Sequence, residues 1–160
     1  MKKLLIILAV LTFYTCDESN EMGEQYFNLY AGLEFSIVNL QNEDLLDPEN
    51  PNRLDVDKIK LFYEINGEKQ EVYNPNYDNP RNFTIFKHAN EYRIGITLNH
   101  TETSDKPITY VQWNESDTDT IEAIYVRTPR ATIQEKLWLN GDFIWELGDN
   151  TIDPYFVLTK

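Results

Sequence analysis

Residues able to do nucleophilic or acid–base chemistry are scarce in this chain. It holds two histidines, His88 and His100, one cysteine, Cys16, and four serines at positions 19, 36, 104 and 116. No His-Glu-x-x-His, Gly-x-Ser-x-Gly or glycine-rich phosphate loop occurs among the 160 residues. Acids are plentiful, so a carboxylate pair for glycoside hydrolysis has no unique candidate. Two acidic clusters have the ligand chemistry of a calcium site, which takes about six to eight oxygens. One is Glu43, Asp44, Asp47, Asp55 and Asp57; the other is Asp117, Asp119 and Glu122. Neither has the spacing of an EF-hand loop. No cofactor is expected, and calcium at Asp117, Asp119 and Glu122 is the one alternative. Three tripeptides, beginning at Asn82, Asn99 and Asn114, match the N-glycosylation acceptor pattern.

Aromatic residues are the more informative class. Ten Tyr, eight Phe and three Trp exceed what one small core must contain, so some can face a ligand. The segment Lys136-Leu-Trp-Leu-Asn-Gly-Asp-Phe-Ile-Trp145 reads as a hairpin closed by Asn140-Gly141, a dipeptide suited to the positive φ of a two-residue turn. An uninterrupted ladder pairs Trp138 with Phe143 and Lys136 with Trp145, placing Trp138, Phe143 and Trp145 on one face and Leu137 and Ile144 on the other. The aromatic face is either core or an exposed platform for sugar rings or a partner. Core is the simpler expectation, and under it Trp138→Ala is strongly destabilising.

The elements that must position these residues are short and β-like. Leu33, Phe35 and Ile37 alternate with polar residues, as in a half-buried strand. Ile59 to Ile65 alternates up to Asn66-Gly67, which predicts a hairpin pairing Ile65 with Glu68, Glu64 with Lys69 and Leu61 with Val72. The Glu64–Lys69 pair supports that register by opposite charge. Further strands are expected at 83–87, 92–98, 108–114, 121–128, 137–140, 142–147 and 155–159, with residues 115–119 as an acidic turn. Residues 39–58, rich in Asp, Asn and Pro, read as a long surface loop. About nine strands without helical periodicity predict an all-β fold: a single β-sandwich, immunoglobulin-like or similar, with a barrel carrying one helix as the alternative.

The first sixteen residues carry a different signal. Lys2-Lys3 precede an apolar run from Leu4 to Leu11, then Thr12-Phe-Tyr-Thr-Cys16. The run is far shorter than the ~20 apolar residues that span a bilayer, so it reads as a removable export signal. A lone cysteine directly after it resembles a bacterial lipoprotein signal. Phe13 and Thr15 stand where the common form has Leu and a small residue, which is similar to the looser boxes of Bacteroidota lipoproteins. Asp17-Glu18 resemble the acidic residues that follow the cysteine in surface-exported members. The resemblance implies acylation of Cys16, membrane attachment through that lipid, and an outer-membrane location at the cell surface or the periplasmic face.

The implied organisation is a signal peptide at 1–15, a lipid-anchored tether at 16–31 and the sandwich at 32–160. Loss of residues 1–15 removes two lysines and no acid, taking the net charge from −13 to −15. Such a surface repels phosphate backbones, so nucleic acid is excluded as an expected partner. With one cysteine there is no internal disulfide, and packing must supply stability. The functional expectation is a non-catalytic cell-envelope lipoprotein whose ligand is a glycan or an envelope protein, with a small envelope hydrolase as the alternative.

Overall fold

Alternation along Leu33-Glu-Phe-Ser-Ile37 builds the central strand of one of two packed sheets. The computed structural model describes residues 26–148 and 154–160. The expected signal peptide and Cys16 lie outside them. Eleven strands form: β1 (Asn28–Tyr30), β2 (Gly32–Val38), β3 (Lys60–Ile65), β4 (Glu68–Glu71), β5 (Phe83–His88), β6 (Glu91–Thr97), β7 (Ile108–Asn114), β8 (Asp117–Thr128), β9 (Ala131–Leu139), β10 (Asp142–Glu146) and β11 (Tyr155–Thr159). The smaller sheet has the order β11-β2-β6-β5. The larger runs β1-β9-β8-β7-β3-β4, and β10 also pairs with β9. Two pairings are parallel, β1 with β9 and β11 with β2. The described domain is all-β and sandwich-like, as the alternating strands predict.

The core lies between the sheets. Leu33, Phe35 and Ile37 on β2 and Ile94 and Ile96 on β6 face Leu61, Val111, Trp113, Ile121 and Leu137 of the larger sheet, all buried. Phe35 meets Trp113 edge-on at 6.1 Å and stacks on Phe156 at 4.7 Å, so one ring joins both sheets and β11. Asn99, fully buried, clamps the crossing from β6 to β7. Its Nδ2 donates to the carbonyls of Glu64 and Ile108, and its backbone carbonyl accepts from the Tyr125 hydroxyl. Asn99 is therefore a structural residue, inaccessible to glycan transfer in the folded chain. Burial raises the Tyr125 phenol well above the ordinary tyrosine value.

Three expectations about this scaffold need correction. Asn28–Tyr30 pair with residues 131–133 and Ala31 is buried, so the folded domain reaches back into the segment expected to be tether. The segment 39–58 is not merely surface loop. Leu45 and Leu46 are buried in the core cluster, and Asp44 holds them there by accepting from the backbone N–H of Leu46 and of Tyr92 on β6. The expected turn at 115–119 is shorter, because Asn114 pairs with Asp117 and β8 starts there.

The first hairpin has the predicted register, Ile65 with Glu68 and Glu64 with Lys69, and the Val72 N–H donates to the Leu61 carbonyl. Its charges are used otherwise than expected. The Glu64 carboxylate accepts the Tyr110 hydroxyl at 2.6 Å, and the Lys69 ammonium lies over the rings of Phe62 and Tyr110. Asn66 and Gly67 have φ of 53° and 82°. A Cβ at Gly67 would meet nothing within 4 Å, so the cost of a side chain there is backbone strain alone. Gly67→Val is expected to destabilise the domain by about 1–3 kcal/mol. An unchanged melting temperature would count against a turn that needs positive φ.

Candidate functional site

The second hairpin places its aromatics in two environments. Asn140 and Gly141 have φ of 52° and 89°, and Asp142 pairs with Leu139 and Phe143 with Trp138, as the turn dictates. The register then shifts, so that Trp145 faces Leu137 and Glu146 faces Lys136. The extra residue is Ile144. A bulge reverses the alternation beyond it, which sends Trp145 inward beside the fully buried Leu137. Trp138, Phe143 and Trp145 therefore do not share a face, contrary to the uninterrupted ladder expected from sequence.

Trp138 and Phe143 remain outside. Phe143 is 52% exposed and Trp138 half-buried, with their rings edge-on at 5.6 Å. Lys106 places its ammonium 3.9 Å from the Trp138 ring and 3.0 Å from the Glu122 carboxylate. Further along the same outer face stand Phe62, Tyr110 and Lys69. The hydrogen bond to Glu64, with burial second, pushes the Tyr110 phenol up to about 12. The face thus carries two aromatic pairs, each with a lysine on it, fixed on paired strands rather than on loops. A desolvated partner ring or C–H face fits such a surface.

The candidate calcium ligands do not converge. Asp119 and Glu122 stand three residues apart on one strand and so fall on opposite sheet faces. Asp119 is 7% exposed. Its Oδ2 accepts from the Lys160 ammonium at 2.6 Å and the Trp113 indole N–H at 2.7 Å, and its Oδ1 accepts from Asn140 Nδ2 at 2.8 Å. Asp117 binds the same ammonium at 2.8 Å. These carboxylates form an ion cluster around the last residue of the chain. Burial opposes the charged Asp119, but the hydrogen bonds from Lys160, Asn140 and Trp113 outweigh it and hold the carboxyl below the ordinary aspartate value. In the other acidic cluster, Asp44, Asp47 and Asp55 cap turns of the long segment. Among the described residues no group of three His, Cys, Asp or Glu side chains could hold a metal ion.

The described serines and histidines are not assembled for nucleophilic attack. Ser36 Oγ shares a hydrogen bond with the Tyr155 hydroxyl, Ser104 Oγ accepts from the Lys106 N–H, and Ser116 Oγ donates to Asn114. His100 Nδ1 lies 3.1 Å from the Leu98 carbonyl.

A cleft of about 560 Å³ lies on the other sheet. Its floor is formed by Glu34, Gly95 and Thr84, which pair in a row across β2, β6 and β5, and by Gly32 opposite Thr97. Its wall is the turn carrying Asn76, Tyr77, Asp78 and Asn79. Beside it, Arg93 binds Glu91 at 2.7 Å and Glu34 at 3.6 Å and lies over the Tyr155 ring. Sequence reasoning did not single out this cleft. The available signal was Gly95 inside the 92–98 strand pattern, with Gly32 just before the alternation at Leu33; a glycine within a strand marks a close backbone approach or a missing side chain.

The fold and these surfaces define a two-sheet β-sandwich with an aromatic outer face on one sheet and a polar cleft on the other. Compared with known proteins, the chain matches no family model, no curated protein and no solved structure.

Proposed function

We propose that the chain is a non-catalytic lipoprotein of the outer membrane, held by acyl chains on Cys16, whose sandwich is a binding module for a glycan or another envelope protein. The observation that carries the reading is the outward pair Trp138–Phe143 with Lys106 beside it. Large rings left outside a core that already buries Trp113 and Trp145 lose the stabilisation of full burial, and such exposed apolar surface commonly marks a contact site. The signal-like run before the lone cysteine supports the anchor. One acyl chain binds a membrane only marginally, so stable attachment calls for more than one.

Cys16→Ala is expected to shift the protein from the membrane to the soluble fraction on cell fractionation. Parent-like membrane partitioning of that variant would rule the anchor out. The Cys16→Ala chain also isolates the second half of the proposal. It is expected to co-sediment with washed envelope fragments or insoluble polysaccharide, and Phe143→Ala on that background is expected to weaken retention by at least about tenfold. Equal retention would remove this face as the contact site.

A further inference from the structure

The cleft on the four-stranded sheet lies away from the aromatic face, and its floor is conspicuous for missing side chains. We propose that it is a binding site for a neutral oligosaccharide, with the Tyr77 ring as its stacking surface. The inference rests on reading the domain as a binding module but places a ligand on a different face.

Gly95 lies inside β6 and Gly32 opens β2, and a strand glycine weakens a sheet, so each calls for a reason. Neither Gly32 nor Gly95 has the positive φ that would demand glycine. A Cβ at Gly32 would meet nothing within 4 Å, and one at Gly95 would come no closer than 3.4 Å to its neighbours. The fold therefore has room for side chains at both positions. What their absence keeps clear is the cleft.

The wall is built to present its side chains. Asn74 receives the Tyr77 N–H on its carbonyl at 3.2 Å and donates its own N–H to Pro80 at 2.8 Å, and its Oδ1 accepts from the Asn76 N–H. The turn is closed at its base while the Tyr77 ring stays 58% exposed. Carboxamides of Asn76 and Asn79, hydroxyls of Thr84 and Thr97 and the carboxylate of Asp78 supply both donors and acceptors around that ring. An aromatic face for ring C–H groups, surrounded by side chains that bond paired hydroxyls, is the chemistry that a pyranose needs.

Charge and backbone narrow the ligand further. The ionisable groups lining the cleft are Glu34 and Asp78, with no cation, so phosphate, sulfate and uronate groups are repelled. Glu34 already faces Arg93 at 3.6 Å, which reduces the attraction for a cationic ligand. An extended peptide recognises a sheet through a free edge, which at this cleft is β5 alone. Over β2 and β6, each paired on both sides, recognition comes from side chains, which favours a compact ligand dense in hydroxyls. A volume of about 560 Å³ is in the range of small-ligand sites.

The test is calorimetric titration of the detergent-solubilised full chain with linear hexasaccharides of glucose, mannose and xylose, and with a galacturonate hexasaccharide as the anionic comparison. At least one neutral sugar is expected to bind with a Kd of about 10 μM–1 mM. Tyr77→Ala, an exposed site, and Gly32→Val, which fills the floor without a positive-φ conflict, are each expected to weaken it about tenfold or more. Arg130→Ala, an exposed site in the turn between β8 and β9, is expected to leave it unchanged. If Gly32→Val fails to fold, Tyr77→Ala decides. Absence of neutral-sugar binding, or binding of the galacturonate alone, overturns the proposal. Loss with Trp138→Ala but not with Tyr77→Ala also overturns it, moving the sugar to the aromatic face and leaving the binding-module reading standing.

Discussion

Asp119→Ala is expected to destabilise the domain by about 3–5 kcal/mol, because it takes the closer of two carboxylates from the Lys160 ammonium and leaves the buried Trp113 indole N–H without its acceptor. Lys160 keeps only Asp117 as partner, and Trp113 loses its acceptor in the middle of the core. The cluster also fastens the end of β11, since the Lys160 backbone N–H donates to the Val38 carbonyl next to it. The effect carries a pH signature. The folded Asp119 carboxyl titrates below its ordinary value, so its contribution is complete above the unfolded-chain pKa of about 3.9 and is lost as pH falls through the lower folded value. Denaturant melts of the parent and of Asp119→Asn from neutral pH downward test this. Their stability gap is expected to be full above about pH 5 and to shrink as pH falls below the unfolded-chain value of about 3.9. A gap independent of pH would mean that the carboxylate charge is not what the variant removes.

The parts of this fold that were legible in the sequence are those in which inward positions are apolar. Leu33, Phe35 and Ile37 are buried as their alternation requires, and both Asn-Gly turns have the positive φ their residue types favour. The first half of β9 was missed because its inward residues are Thr132 and Gln134, buried at 5% and 4% exposure while Ile133 points out. Gln134 is admissible inside because its Nε2 donates to the Gly32 carbonyl across the sandwich at 3.0 Å. No local pattern encodes a partner so distant in sequence. The same holds for Asn28–Tyr30, whose parallel pairing to β9 depends on a strand not itself readable. The acidic run at 115–119 hides a strand for a related reason: Asp117 and Asp119 sit on β8, whose periodicity separates them from Glu122. The cleft was invisible because its defining feature is the lack of side chains at Gly32 and Gly95.

The bulge at Ile144 decides the roles of two tryptophans, and truncating each should expose the difference. Trp145 is 8% exposed and belongs to the core cluster. Trp145→Ala is expected to cost about 3–5 kcal/mol, the range for removing a large aromatic from a packed interior. Trp138 loses much less on truncation. It has an edge-on contact with Phe143 worth about 0.5–1.5 kcal/mol and the Lys106 ammonium over its ring worth about 0.5–1 kcal/mol. Trp138→Ala is therefore expected to cost about 1–2.5 kcal/mol, the sum of those two contacts. Sequence periodicity alone led to the opposite expectation for Trp138, since an uninterrupted ladder carries all three aromatics to one side. Denaturant midpoints of the two variants separate the alternatives. If Trp138→Ala collapses the domain as Trp145→Ala does, the register runs through the hairpin without a bulge and all three aromatics are core. The expected order, a severe Trp145 effect and a mild Trp138 effect, leaves Trp138 and Phe143 in a folded protein with rings free to meet a ligand. A binding defect in Trp138→Ala can then be assigned to the lost contact and not to unfolding.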